Sequence, residues 1–172
     1  MILSVAFVLI LLVGLLTLVS YVDRVYQEAG KFLSRDFQDN IDVFEKKIEP
    51  RLGVSRTRAA LSMAVMEQLT TAAIAVLIGY LVFREPDWSI YEVLQAAFGL
   101  LLIIMLCNRF LPFVFFSRTK GEWLTRFTLI LKGLIYLVMP VTIVLGFLQS
   151  VATLTRENTT EQPETSAEAV EP

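Results

Sequence analysis

Histidine is absent from the 172 residues, and cysteine occurs once, at Cys107 inside an apolar run. These absences remove the commonest metal ligand and general base, and they leave Cys107 without a partner for a disulfide or a zinc site. The sequence also lacks a nucleophile–base arrangement, a phosphate-binding glycine loop and a metal-ligand cluster. We therefore expect that the protein is not an enzyme.

Strong charge of either sign is missing as well, because 15 basic and 17 acidic residues give a net charge of −2. The chain thus lacks the basic excess of nucleic-acid-binding proteins, and no nucleic-acid partner is expected. Apolar residues are abundant instead: they make up 55% of the sequence, and the mean hydropathy is +0.63. Such values exceed those of soluble domains and predict an integral membrane protein, with the lipid bilayer as its surroundings.

Four apolar segments can be distinguished: Ile2 to Val19, Ala59 to Phe83, Val93 to Phe116 and Phe127 to Ala152. A bilayer core requires about 20 apolar residues in a helix, so the first three segments are predicted transmembrane helices of an all-α protein. The first segment has no basic residue ahead of it and no small-residue cleavage site. These features favour a retained helix over a signal peptide.

The basic residues predict the orientation, since lysine and arginine in short loops stay on the cytoplasmic side. Eight of them fall within residues 21–58, whereas the loop from Arg84 to Glu92 contains one. The N-terminus and the 84–92 loop are therefore expected outside. Residues 21–58 and 117–126 are expected in the cytoplasm, in a multi-pass protein of the cell membrane.

Two segments outside the predicted spans have distinct patterns. Residues 21–58 are charged and amphipathic, which predicts a cytoplasmic helical segment that ends near Pro50 and Gly53. Residues 156–172 combine glutamate with proline, serine and threonine and show no apolar periodicity. We expect them to form a disordered, cytoplasmic acidic tail or linker after a membrane domain of residues 1–155.

The segment from Phe127 to Ala152 allows two interpretations, because Lys132 and Pro140 lie inside it. Its polar residues form a stripe at helical spacing: Thr125, Thr128, Lys132, Thr142, Gly146, Gln149, Ser150 and Thr153. The segment is predicted to lie at the cytoplasmic interface as a juxtamembrane helix hairpin that bends at Pro140. The alternative is a fourth span whose stripe packs against neighbouring helices.

Polar residues within or beside the spans are the candidate ion-binding groups, because charge at membrane depth is costly and usually functional or paired. The candidates are Ser20, Asp23, Glu67, Gln68, Asn108 and Pro112. Ser20 and Asp23 lie where the first span ends and belong either to the solvated interface or to a site. Gln68 and Asn108 are either ligands or hydrogen-bonding groups between helices. Pro112 interrupts its helix and frees backbone carbonyls that can coordinate a cation.

Glu67 and Arg109 also allow a second interpretation. Counted from the predicted cytoplasmic ends of their helices, they lie at the same depth in the membrane. An unpaired charge at that depth is expensive. We therefore predict an intramembrane ion pair between Glu67 and Arg109.

The order of these segments resembles the transmembrane domain of the CNNM family, which includes the CorC/HlyC-type magnesium and cobalt transport proteins. Residues 18–23 retain a serine and an acid where that family has a Ser-x-Ser-Glu motif. Leu-Ser-Met at residues 61–63 precedes Glu67 and Gln68, in the place of Leu-Ser-Thr and Gly-Asn. Residues 108–113 stand where the family has Gly-Glu-x-x-Pro-Lys. Residues 122–124 and the following stretch with Pro140 are similar to the family's juxtamembrane helix.

The resemblance implies a homodimer with three spans per subunit and an external N-terminus. It also implies divalent cations, Mg²⁺ in particular, bound among the three helices, and a cytoplasmic pair of CBS domains that this chain does not contain. The small residues Ala72, Ala73, Ala75 and Gly79 offer a close-packing face for a dimer. Arg109 replaces the family's glutamate and would repel a divalent ion. The expected function is therefore divalent cation transport or its regulation. The alternatives are a transport-inactive scaffold with a degenerate ion site and an unrelated four-span protein.

Overall fold

The protein is all-helical in the computed structural model, which describes residues 2–29, 38–84, 86–87, 89–119 and 121–160. The elements in chain order are α1 (Ile2–Glu28), α2 (Gln38–Val43), a π-helical turn (Phe44–Ile48), α3 (Glu49–Leu52), α4 (Arg56–Phe83), α5 (Ile90–Ile103), the π segment (Ile104–Phe110), α6 (Leu111–Arg118), a 3₁₀ turn (Glu122–Phe127) and α7 (Thr128–Thr160). The predicted all-α fold class is confirmed.

Four helices in the described part of the chain are long and apolar enough to cross a membrane. They are Leu3–Glu28, Arg56–Phe83, Ile90–Arg118 and Glu122–Leu148. Many of their large apolar side chains point outward, among them Leu3 at 86% exposure and Leu129 at 81%. A soluble monomer rarely exposes apolar surface on this scale, so the fold is compatible with a protein surrounded by lipid.

Local sequence signals explain several helix ends. Gly53 adopts φ 72° directly after α3, a left-handed conformation that glycine reaches without a Cβ clash. This confirms the predicted end of the 21–58 helical segment near Pro50 and Gly53. At the start of α5, Ser89 accepts from the Tyr91 amide and Glu92 accepts from the Ser89 amide, which forms a capping box.

α1 is longer than the predicted first span. It continues nine residues past Val19, to Glu28. Its last turns are the most buried part of the helix and pack on α4. Ser20 and Asp23 are 3% and 9% exposed, so the interpretation that places them at the solvated interface is wrong. They are buried because their face of α1 packs against α4 and the π segment.

Two apolar clusters form the interior of the described residues. The larger one joins the end of α1, the start of α4, and the short helices α2 and α3. It also includes Phe116 of α6, Leu124 of the 3₁₀ turn, and Leu131, Ile135 and Val138 of α7. The smaller one contains Leu16, Ile74 and Cys107. Cys107 therefore serves as a small packing residue. On α4, Glu67 lies between residues of the two clusters, whereas on α1 the polar residues alternate with residues of the larger cluster.

α7 differs from the predicted helix hairpin, because it continues through Pro140 as one helix to Thr160. The hairpin prediction is wrong. Proline removes one backbone donor and crowds the carbonyl four residues earlier, which an otherwise apolar helix can accommodate without ending. Residues 156–160 extend this helix, and the remainder of the acidic tail lies outside the described residues.

The members of the α7 polar stripe whose side chains the structure describes face the protein. Thr128 and Thr142 are buried, and the Ser62 hydroxyl of α4 donates to Thr142 Oγ1 at 3.5 Å. Leu137 and Phe147 are exposed on the other side. This inward packing of the stripe is the arrangement that the fourth-span alternative described.

Asn40 connects three elements at the larger cluster. Its side-chain amide donates to the Phe116 carbonyl at 2.6 Å, and its Oδ1 accepts from the Tyr21 hydroxyl at 3.3 Å. A Cβ on Gly121 would lie only 3.1 Å from Asn40 Oδ1, and Gly121 has φ 70°. Both the close approach and the backbone angle therefore require glycine at position 121.

We predict that Asn40→Ala lowers the free energy of unfolding by about 2 kcal/mol, because it leaves buried polar groups without their partner. Chemical unfolding of the purified protein in detergent, followed by circular dichroism, measures the change. Lys46→Ala serves as the control, since Lys46 pairs with Asp42 at an exposed position and should change stability little. Equal effects of the two substitutions would contradict a bridging role for Asn40.

A candidate polar site between three helices

A small pocket of about 80 Å³ lies where α1, α4 and the π segment meet. Every residue that lines it is polar: Ser20, Asp23, Arg24 and Gln27 of α1, Glu67 of α4, and Asn108 and Arg109 of the π segment. The smaller apolar cluster, with Leu16, Ile74 and Cys107, lies beyond it toward one end of these helices. The pocket is thus a polar compartment bordered by residues of both apolar clusters.

Helical geometry brings the α1 residues together. Positions 20, 23, 24 and 27 are three or four residues apart, so their side chains project from one face of the helix. The same face carries Leu16 one turn earlier, which packs into the smaller cluster. The polar face is therefore a continuation of the apolar face that holds α1 against α4.

Two consecutive residues of the π segment, Asn108 and Arg109, line the pocket. The Leu111 amide bonds to the Leu106 carbonyl, five residues back rather than four. Pro112 has no amide hydrogen, so the Asn108 carbonyl lacks its normal helical donor. Wider π turns occur frequently at functional sites. Pro112 thus shapes the site through the backbone, as the sequence indicated, although its own side chain is buried outside the pocket.

Glu67 is the central acceptor of the pocket. Its carboxylate accepts a hydrogen bond from the Asn108 side chain and interacts electrostatically with both Arg109 and Asp23. Ser20 lies beside it, but its hydroxyl has no hydrogen bond of ordinary geometry within the described part of the chain. The Asp23 carboxylate accepts from Gln27 and also interacts with Arg109. Arg109 therefore attracts both carboxylates at longer range.

Arg24 supplies a second cation at the edge of the pocket. Its guanidinium carbon lies 5.1 Å from the centre of the Phe113 ring, a distance at which the ring face stabilises a cation. The Arg24 Nε is buried and has no hydrogen-bond partner among the described residues. With two carboxylates and two guanidinium groups, the formal charges that line the pocket cancel.

Five of the predicted residues meet here: Ser20, Asp23, Glu67, Asn108 and Arg109. Gln68 does not join them, because it points to the exposed side of α4. Sequence reasoning missed Arg24 and Gln27. Their spacing of four and seven residues from Ser20 would place them on the same helix face as Ser20. The first span was expected to end at Val19, so this spacing was not considered.

The predicted Glu67–Arg109 ion pair takes a different form in the structure. The direct ion pairs of the described residues join other groups, such as Arg56 with Glu45 at 2.7 Å. Arg109 instead acts on Glu67 and Asp23 together, through longer-range attraction. An exclusive pair is thus replaced by a shared cation.

The donor set determines which ligand the pocket suits. Carboxylate, hydroxyl and amide oxygens are the ligands that Mg²⁺ prefers. Among the described residues, however, no three acidic, histidine or cysteine side chains lie close enough together to hold a metal ion. Arg109 also attracts both carboxylates. A divalent cation therefore fits this pocket only in competition with Arg109.

No family model, curated protein or solved structure matches the chain. The polar pocket and its charges therefore carry the functional conclusion.

We predict a thermodynamic coupling between Arg109 and Glu67 of about 0.5–3 kcal/mol, which is typical of charges that share one network. Arg109→Gln should destabilise the protein, because it leaves two carboxylates to repel each other. Glu67→Gln should recover part of that loss in the double variant. Unfolding of the four proteins in detergent gives the coupling energy.

Gln68→Ala provides the matched control for this cycle, because Gln68 is the exposed neighbour of Glu67 on the same helix. It should not couple to Arg109→Gln. Strict additivity of Arg109→Gln and Glu67→Gln would show that Arg109 does not stabilise Glu67.

Proposed function

We propose that this chain is a CNNM-like integral membrane domain that takes part in divalent cation transport, with Mg²⁺ as the cargo, or in its regulation. The supporting observation is the polar pocket, in which oxygen ligands from three apolar helices converge. Asp23 is buried and Glu67 half-buried among apolar helices. Carboxylates in such surroundings are costly, and in membrane proteins they mark ion paths. Asp23 and Glu67 are the residues that attract the cation.

Arg109 gives this site its regulatory character. Its side chain is exposed, whereas Asp23 is buried. The guanidinium can therefore leave the carboxylates without unpacking the core. In our proposal Arg109 occupies the place of a cation in the resting state, and entry of a divalent ion requires its displacement.

A membrane scaffold is the second candidate, and the charge balance of the pocket favours it. If Arg24 and Arg109 neutralise Asp23 and Glu67 permanently, the pocket holds the helices together and binds no ion. Salt-bridged polar groups often set helix packing in this way. The two candidates differ in whether removal of Arg109 creates a cation site.

We also propose three spans, with α7 at the end of the bundle where α4 begins. Leu131 shares a cluster with Phe116 at the end of α6, and Phe147 lines a pocket with Thr57 at the start of α4. About 24 Å of helix separates Leu131 from Phe147, at about 1.5 Å per residue. A spanning helix would carry Phe147 to the opposite end, so these contacts favour a helix that lies across the bundle.

The homodimer remains part of the proposal, although its expected face is partly occupied. Ala75 and Gly79 line a groove against α5 within the same chain, whereas Ala72 and Ala73 are exposed. A second copy would therefore meet α4 through Ala72 and Ala73.

We predict that Arg109→Gln strengthens Mg²⁺ binding about tenfold, because it removes a competing cation from beside two carboxylates. Glu67→Gln and Asp23→Asn should abolish Mg²⁺ uptake into proteoliposomes that contain a fluorescent Mg²⁺ indicator. Asp42→Asn is the control, since it removes the same charge at an exposed pair outside the pocket. If neither the natural protein nor Arg109→Gln binds Mg²⁺, the scaffold function replaces the transport function.

The topology predicts a pattern of cysteine labelling in a Cys107→Ala background. With an impermeant thiol reagent on intact cells, Asp87→Cys should react, whereas Arg126→Cys and Thr160→Cys should react only after permeabilisation. Labelling of Thr160→Cys in intact cells would instead place α7 across the membrane.

A further inference from the structure

A large apolar groove runs beside α1, away from the polar pocket. It encloses about 880 Å³, and its residues include Leu11, Gly14 and Leu18 of α1, Phe115 of α6 and Phe127 of the 3₁₀ turn. A Cβ on Gly14 would meet no atom within 4 Å. The groove is thus wide enough for a flexible apolar chain.

A basic pocket adjoins one end of this groove. It encloses about 580 Å³ and contains Lys47, Arg51, Glu122 and Arg126, and Trp123 lines both the pocket and the groove. Glu122 pairs with Lys47 at 3.2 Å. Within the described part of the chain, Arg51 and Arg126 have no such acidic partner. The pocket therefore carries an excess of two positive charges.

Trp123 marks the boundary between the two compartments. Its indole nitrogen donates to Thr119 Oγ1 at 3.2 Å, and its rings pack against Phe115 and Phe127 with centroids 6.0 and 5.8 Å away. Tryptophan with one polar and one apolar side is enriched at the level of lipid headgroups. The groove thus suits the apolar chain of an amphiphile, and the basic pocket suits its anionic headgroup.

We propose that the groove and the basic pocket together bind one anionic phospholipid. An acyl chain lies along Gly14 and Leu18, and the phosphate is held by Arg51 and Arg126. Basic pockets beside membrane helices bind anionic headgroups in this way. An apolar helix from a second copy would fill the groove but leave both arginines unmatched, whereas a phospholipid satisfies both compartments.

Native mass spectrometry of the full chain in detergent tests the site with phosphatidylglycerol and phosphatidylcholine of identical acyl chains. The natural protein should bind phosphatidylglycerol more tightly. Arg51→Gln with Arg126→Gln should weaken phosphatidylglycerol binding about 30-fold, at about fivefold for each basic residue, and leave phosphatidylcholine binding unchanged. Gly14→Trp should weaken the binding of both lipids, because it fills the groove.

Two matched controls accompany these variants. Arg58→Gln with Arg84→Gln removes the same charge outside the basic pocket, and Gly133→Trp adds the same bulk at another exposed helical glycine with open space. Neither should alter lipid binding. Equal affinity of the natural protein for the two lipids, or equal losses in variants and controls, would overturn the proposal.

Two further outcomes identify other occupants and would also overturn it. Displacement of phosphatidylglycerol by inorganic phosphate would assign the basic pocket to a free anion. Conversion of a dimer to a monomer by Gly14→Trp, without loss of lipid, would assign the groove to a second copy.

Discussion

The attraction of Arg109 for two carboxylates is the constraint on which the candidate site depends. Asp23 and Glu67 come from different helices and would repel each other at short range. In apolar surroundings such repulsion is poorly screened, so an unbalanced pair would force α1 and α4 apart. Arg109 offsets part of this repulsion, because it attracts both carboxylates.

The position of Arg109 depends in turn on the backbone of its helix. Pro112 deprives the Asn108 carbonyl of its donor, and the helix adopts a π segment just ahead of it. Asn108 and Arg109 both line the pocket from this segment, and Arg109 lies close enough to attract both carboxylates.

Composition and periodicity were sufficient to predict the helical fold, the membrane-length segments and the helix end at Gly53. They also placed Glu67 and Arg109 at matching depth, because helix rise converts sequence position directly into height. The remaining features depend on packing. The continuation of α1 past Val19 was not predictable, because Asp23 and Arg24 have the character of solvated charges until α4, the π segment and α6 pack around them. The path of α7 through Pro140 was missed for a related reason, since proline disfavours a helix locally but contacts with α4 support it.

The polar residues of the site could be predicted from the sequence, but the electrostatic interactions between them could not. Ser20, Asp23, Glu67 and Asn108 were candidates from their residue types alone. Their proximity to the Arg109 guanidinium becomes evident only in the structure, where three helices bring these residues to one pocket. The same holds for Trp123, whose position between an apolar groove and a basic pocket has no signature in the sequence.

The central claim is that Arg109 is shared by Asp23 and Glu67 inside the membrane. Solid-state NMR of the protein in lipid bilayers, with labelled arginine side chains and labelled carboxyl groups, measures this directly as dipolar coupling between the guanidinium and each carboxyl carbon. The account predicts that Arg109 couples to both carboxyls in one sample without added divalent cation. Coupling to Glu67 alone, or to neither carboxyl, would contradict it.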